Sequence, residues 1–263
     1  MKVLIGSITY RDKDYILDRW FARLQDIIKL TKFHIDQVDL LIIDNTNDIG
    51  EHAEYLRNKL NCNVIKERYM EETNANIANS RNRLRKEVLF EGYDYLFMLE
   101  SDVLPPREII IELLNHKVPV VSGWYHVGQG LRWKRPCVVM PFRPIEEAKK
   151  LPENHVEISL AKERLVRVLQ GSMGCCLIRQ DVLRKLDFFH LKSRNTAIVH
   201  DDTFFFVECE MKGVPVYVDS DMLCLHFQSN WWKEYVLNKI EKDKLLRESG
   251  GSENQIIIKN EVN

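Results

Sequence analysis

The chain has 263 residues, 45% of them hydrophobic, which allows one large domain or two small ones around a proper core. Thirty-eight Lys and Arg nearly balance 39 Asp and Glu, giving a formal net charge of −1; the whole-chain field therefore neither recruits nor repels nucleic acid, and any anion site must be local. No stretch approaches the length needed to cross a bilayer, and the six cysteines show no Cys-x-x-Cys spacing, so they read as buried small hydrophobes.

Met1 to Ser7 is too short an apolar run for a signal peptide and reads as a first strand, so a cytoplasmic location is the expectation. The first 122 residues alternate apolar, β-branched runs with segments of helical period. Val3 to Ile8, Val38 to Ile43, Cys62 to Ile65, Tyr95 to Leu99 and Val118 to Val121 are the expected strands. Ile16, Trp20, Leu24 and Ile27 or Ile28 repeat at helical spacing, as do Ile77, Leu84 and Val88. This alternation predicts a mostly parallel sheet wrapped by helices.

After residue 122 the character changes. Trp124 to Arg135 carries Trp and Gly; Cys137 to Met140, Leu165 to Leu169 and Cys175 to Ile178 look extended, and a short helix follows near Asp181 to Leu186. Asp201 to Met211 reads as a helix stopped by Gly213, with Val214 to Val218 and Leu223 to Phe227 extended beyond it. A charged helix is expected over 231–248, and Ser249-Gly250-Gly251-Ser252 opens a flexible tail over 249–263. The expected organisation is one domain, with a nucleotide-binding half over 1–122 and an acceptor half over 123–230.

The candidate chemistry gathers where strands end. Glu100-Ser101-Asp102 follows the apolar run Tyr95 to Leu99 and precedes Pro105-Pro106. In an open α/β sheet, ligands collect in the crevice outside such strand tips, and two carboxylates there suit a hard divalent cation chelated by phosphates. Thr9 and Tyr10 follow the first strand, Asp44 the second, and Asn74 to Asn82 opens the helix before the fourth. Together these form a nucleotide site, with Asp44 accepting hydrogen bonds from a base or ribose and Arg81 pairing with diphosphate. Asp44 also suits an ordinary turn, Arg83 and Arg85 lie close to Arg81, and Asp201 and Asp202 suit helix capping.

The order of these parts resembles that of the GT-A fold glycosyltransferases, most closely the small soluble members of glycosyltransferase family 2, over roughly the first 230 residues. The resemblance implies a GT-A, Rossmann-like α/β fold and a strand-end acidic motif holding Mn²⁺ or Mg²⁺ against the diphosphate of a nucleotide sugar. Glu100 and Asp102 match that motif, with Glu where Asp is usual. It implies a catalytic carboxylate pair at a helix start, matched by Asp201 and Asp202, the second being the general base of inverting members. It implies a late metal-binding His, matched by His226. The processive members' Gln-x-x-Arg-Trp is replaced here by Gln228-Ser229-Asn230-Trp231-Trp232, which argues against a polysaccharide synthase.

The implied activity is metal-dependent transfer of a sugar, as in hexosyltransferases, from a nucleotide-sugar donor to a carbohydrate, glycoprotein or lipid-linked hydroxyl. Gly171 and Gly174 would let backbone approach the sugar, and Trp124, Tyr125 and Trp133 could stack on it. The terminal helix either packs on the domain or touches a membrane surface peripherally. Two rivals stand beside this reading. A sugar-nucleotide pyrophosphorylase would need a Gly-rich basic loop after the first strand, where Gly6-Ser7-Ile8-Thr9-Tyr10-Arg11 has little glycine; a noncatalytic sugar-binding module would keep the acidic site only as structure.

Overall fold

The computed structural model describes residues 1–128, 134–136, 140–141, 163–189, 191–192 and 198–227. The expected helix over 231–248, the tail over 249–263, Trp133 and Gln228 to Trp232 lie outside the described residues.

The chain runs β1 (Lys2–Thr9), a 3-10 turn (Arg11–Lys13), α1 (Leu17–Thr31), β2 (Gln37–Asp44), α2 (Glu51–Leu60), β3 (Asn63–Lys66), α3 (Thr73–Glu91), β4 (Tyr95–Leu99), β5 (Val103–Leu104), α4 (Ile109–Asn115) and β6 (Val120–Trp124). Next come β7 (His126–Gly128), β8 (Lys134–Pro136), β9 (Met140–Pro141), β10 (Leu165–Gln170), β11 (Cys175–Arg179), α5 (Gln180–Lys185), β12 (Leu191–Lys192), β13 (Ile198–Val199), α6 (Asp201–Met211), β14 (Val216–Leu223) and β15 (Leu225–His226).

Nine strands form one sheet in the order β3-β2-β1-β4-β11-β6-β14-β10-β9. The first half is parallel throughout, β3 to β4. β11 then enters antiparallel between β4 and β6, while β14 runs parallel to β6. The sheet is therefore parallel where the βα alternation predicted it and mixed in the second half.

Alternation along the strands splits the core into two layers. Val3, Ile5, Phe97, Leu99, Val121 and Leu177 face the helices that supply Trp20, Leu24, Ile27, Leu56 and Ile110. Leu4, Leu96, Met98, Val120 and Ile178 face the opposite way, against Leu84, Val88, Leu183, Phe205 and Phe206. Each such side chain, once buried, contributes about 1.5–3 kcal/mol through removal of apolar area from water. The consequence for function is geometric: β1, β2 and β4 end together on one edge, between two helical layers.

Two local departures have simple causes. β6 begins at Val120 rather than Val118, because Lys117 sits at φ +54° and Pro119 has no N–H to give the ladder. Beyond Val121 it continues to a buried Trp124, whose indole N–H donates to the Ser220 carbonyl at 2.8 Å. Trp124 is thus a core residue, which corrects its reading as a sugar platform. Gly213 does end α6 as predicted, at φ +66°, a conformation that only glycine adopts without strain.

Candidate active site

A cleft of about 620 Å³ opens where β1, β2 and β4 end. Its walls include Tyr10, Arg11, Lys13, Asn45, Thr46, Tyr69, Asn76, Arg81, Glu100, Ser101 and Asp102. The start of α3 is fastened to the end of β2 by polar side chains: Asn45 donates to the Ser80 hydroxyl at 3.2 Å and Asn76 to the Asn45 carbonyl at 3.4 Å. These bonds fix the α3 wall against the strand tips.

Asp102 and His226 are brought together by the short ladder between β5 and β15, in which His226 is the partner of Val103. The Phe227 N–H donates to the Asp102 carbonyl at 2.8 Å, and His226 Nε2 lies 3.4 Å from Asp102 Oδ2. Glu100, Asp102 and His226 each offer a ligand atom within 4.8 Å of the others. Lys13 Nζ pairs with Asp102 Oδ2, whereas Asp102 Oδ1 is buried without a hydrogen-bond partner among the described residues. Two carboxylates and an imidazole, with one buried carboxylate oxygen unmatched, fit a divalent cation such as Mn²⁺.

The two carboxylates are driven apart electrostatically. Desolvation pushes Glu100 above the usual carboxylate range despite Arg81 nearby. Burial pushes Asp102 upward too, but the His226 hydrogen bond and the Lys13 ammonium outweigh it and hold Asp102 below its ordinary value. Close behind the motif is Gly174, where a Cβ would meet the Tyr125 hydroxyl at 2.4 Å and Glu100 Oε2 at 2.9 Å. Gly174 is needed by the protein's own packing: its N–H donates to the Tyr125 hydroxyl at 3.2 Å, and its carbonyl accepts from the Glu100 N–H at 3.0 Å. A Cβ on Gly171 would meet the Ser122 hydroxyl at 2.8 Å. Both glycines are therefore required by close contacts within the protein.

The remaining sequence candidates fall into distinct places. Tyr10 and Ser101 line the cleft; Thr9 is buried behind it, its hydroxyl without a partner among the described residues. Arg81 lines the cleft but is engaged by protein carboxylates, donating to Asp201 at 2.6 Å and Glu100 at 2.9 Å. Those two pairings, rather than a free guanidinium, are what the structure shows for it. Asp201 is buried at the first turn of α6, while Asp202 is half-buried and accepts from the Thr203 N–H at 2.6 Å. Asp44 is fully buried beneath Asn45 and Thr46, with Oδ1 accepting from the Thr46 hydroxyl at 2.6 Å and facing His52 Nδ1 at 2.8 Å.

Lys13 and His52 escaped sequence reasoning. Lys13 had one usable signal, its place in the turn after β1 beside Arg11 and Asp12. His52, lying between Asp44 and Asp14, had none.

This architecture is the GT-A fold. Similar solved structures include S. aureus TarS 1-349 in complex with UDP-GlcNAc, at TM-score 0.52 and 17% identity over 87% of this chain and 60% of that one. GalNAc-T7 with UDP, GalNAc and Mn²⁺ superposes at TM-score 0.54 and 12% identity, over 87% of this chain and 44% of that one. At such identities the likeness is one of fold. No protein-family model and no curated protein matches the sequence. Among the described residues, no helix is long and apolar enough to cross a membrane.

Proposed function

We propose that the chain is a metal-dependent glycosyltransferase that moves a hexose from a nucleotide diphosphate sugar to a hydroxyl acceptor with inversion. The observation that carries this reading is the Glu100, Asp102 and His226 cluster, whose two carboxylates line a cleft made by strand ends. GalNAc-T7, of the same fold, was solved with UDP and Mn²⁺, and TarS with UDP-GlcNAc. Residues 1–122 would form the donor half and 123–230 the acceptor half.

Glu100, Asp102 and His226 would hold Mn²⁺ or Mg²⁺. When bound, that ion would neutralise charge building on the departing diphosphate. Tyr10, with 42% of its surface exposed, offers a ring to a nucleobase, and Asn45 and Thr46 offer polar groups beside it. Arg81 keeps Glu100 and Asp201 oriented toward each other across the cleft floor. Asp202, next to the anchored Asp201, is the general base: its carboxylate would take the proton of the attacking hydroxyl. Carbohydrate, glycoprotein or lipid-linked hydroxyls are the acceptor classes.

The test is binding of UDP and GDP by calorimetry with and without Mn²⁺, followed by transfer from matching nucleotide sugars. Mn²⁺-dependent binding that Asp102→Asn weakens at least about tenfold supports the reading. Unchanged binding by a folded Asp102→Asn protein would remove the cluster from the site.

A further inference from the structure

His52 is 2% exposed in its side chain, and both ring nitrogens face carboxylates. Nδ1 lies 2.8 Å from Asp44 Oδ1, and Nε2 lies 3.0 Å from Asp14 Oδ1. A neutral imidazole has one N–H and one lone pair, so one of these contacts would set a lone pair against an anion. Thr46 does not relieve this, since its hydroxyl, 2.9 Å from Nδ1, already donates to Asp44. Only the imidazolium donates to both.

Local charge agrees. The carboxylates around the ring are Asp14, Asp44 and Asp48, the last accepting from the His52 backbone N–H at 3.1 Å. The cations are Lys66, 3.6 Å from both Asp44 and Asp48, and Arg11, 3.0 Å from Asp48. Glu51 reaches only Arg11, at 3.8 Å and in solvent, and the Tyr55 ring stacks on the imidazole at 5.9 Å. Three acids are matched only when His52 adds a third positive charge. Opposing this are Lys66 and the positive end of α2, on whose first turn His52 sits.

We propose that His52 is a positioning residue of the donor cleft, a buried imidazolium that ties Asp44 at the end of β2 to Asp14 and thereby holds the Tyr10–Lys13 segment of the cleft wall in place. The link is mechanical. Asp14 closes the turn by donating its N–H to the Arg11 carbonyl at 3.0 Å, and the Arg11 N–H donates to the Thr46 hydroxyl at 3.1 Å. Its functional meaning rests on the nucleotide reading above, whereas the tie itself does not. Burial alone would lower the His52 pKa, but the Asp44 and Asp14 hydrogen bonds hold it above its ordinary value. With the folded-state value raised, the stabilisation is fully present below the unfolded value of about 6.5 and is lost as pH rises through the folded value.

Three measurements on the full chain test this between pH 6 and 9.5. Imidazole ¹⁵N NMR is expected to show both His52 nitrogens protonated at pH 7. Amide exchange over residues 10–15, corrected for intrinsic rate, is expected to lose about tenfold protection as His52 deprotonates, and the UDP dissociation constant with Mn²⁺ to rise about tenfold at the same midpoint. His52→Gln should show low protection and weak UDP binding at every pH, without that midpoint. A His52 titration at or below about pH 6.5, or a His52→Gln protein that keeps the wild-type profile, would overturn the proposal. If neither UDP nor GDP binds wild type at any pH, the nucleotide reading fails while titration and exchange still decide the tie. Should His52→Gln not fold, the wild-type titration decides it.

Discussion

Arg81 on α3 and Asp201 at the start of α6 are 120 positions apart in sequence, yet their side chains meet at 2.6 Å in the buried floor of the cleft. The other guanidinium nitrogen holds Glu100 at 2.9 Å, so one side chain connects the strand-end acidic motif to the helix that bears Asp202. The charges of Asp201, Glu100 and Asp202 all raise the Arg81 pKa against its burial. Arg81 therefore stays charged and joins the end of β4 to the start of α6.

Arg81→Met should destabilise the protein by about 3–5 kcal/mol, because it leaves carboxylates in the cleft floor without their counter-charge. Arg81→Lys should recover only part of this, since an ammonium cannot span both partners as the planar fork does. Urea denaturation of the three proteins measures it; a loss below about 1 kcal/mol for Arg81→Met would show that the bridge is mechanically dispensable.

Lys13→Met should tighten binding of Mn²⁺ alone, by about three- to tenfold, because the Lys13 ammonium and a cation compete for Asp102. Titration of Mn²⁺ without nucleotide, followed by EPR of the free ion, reads this directly. Weaker Mn²⁺ binding in the variant would mean that Lys13 instead organises Asp102 for the metal.

Gly174→Ala places a methyl 2.4 Å from the Tyr125 hydroxyl and 2.9 Å from Glu100 Oε2, so the Glu100 carboxylate must move. Mn²⁺ affinity is expected to fall by about tenfold or more, with a stability loss of about 1–3 kcal/mol from overpacking. Combined calorimetry and thermal denaturation separate the two effects.

Asp202→Asn keeps the size and capping ability of Asp202 but cannot take up the acceptor proton. Transfer should fall by about 100-fold or more while UDP affinity stays within about twofold of wild type. Asp201→Asn should act differently, through stability, because Asp201 is buried against Arg81. Near-normal transfer by Asp202→Asn, or a product of retained anomeric configuration, would take the base role from Asp202.

Hydrophobic patterning by itself determined most of the first half of the fold, because β1, β2 and β4 are predominantly apolar and mostly buried and α1 carries one apolar stripe of Leu17, Trp20, Leu24 and Ile27. It also located Glu100-Ser101-Asp102, since a polar cluster directly after such a run must lie at a strand tip. The mixed half was less readable. Antiparallel β11 between β4 and β6 is set by long-range pairing, and nothing in Cys175 to Ile178 encodes its direction.

What each polar side chain does was decided by tertiary structure. Sequence can place Asp44 at a strand end and Arg81 on the helix before the fourth strand, but not say that Arg81 is engaged by two carboxylates, that Asp44 lies beneath the cleft wall, or that Trp124 is core. Distant partners settle two of those roles, Asp201 for Arg81 at 120 positions and the Ser220 carbonyl for Trp124 at 96, whereas Asp44 is held by the nearer Thr46 and His52. His52 shows the limit most clearly: its ring lies between acids from two other segments, and only folding, which removes water from the ring and from Asp44, turns that arrangement into a charge-dependent tie.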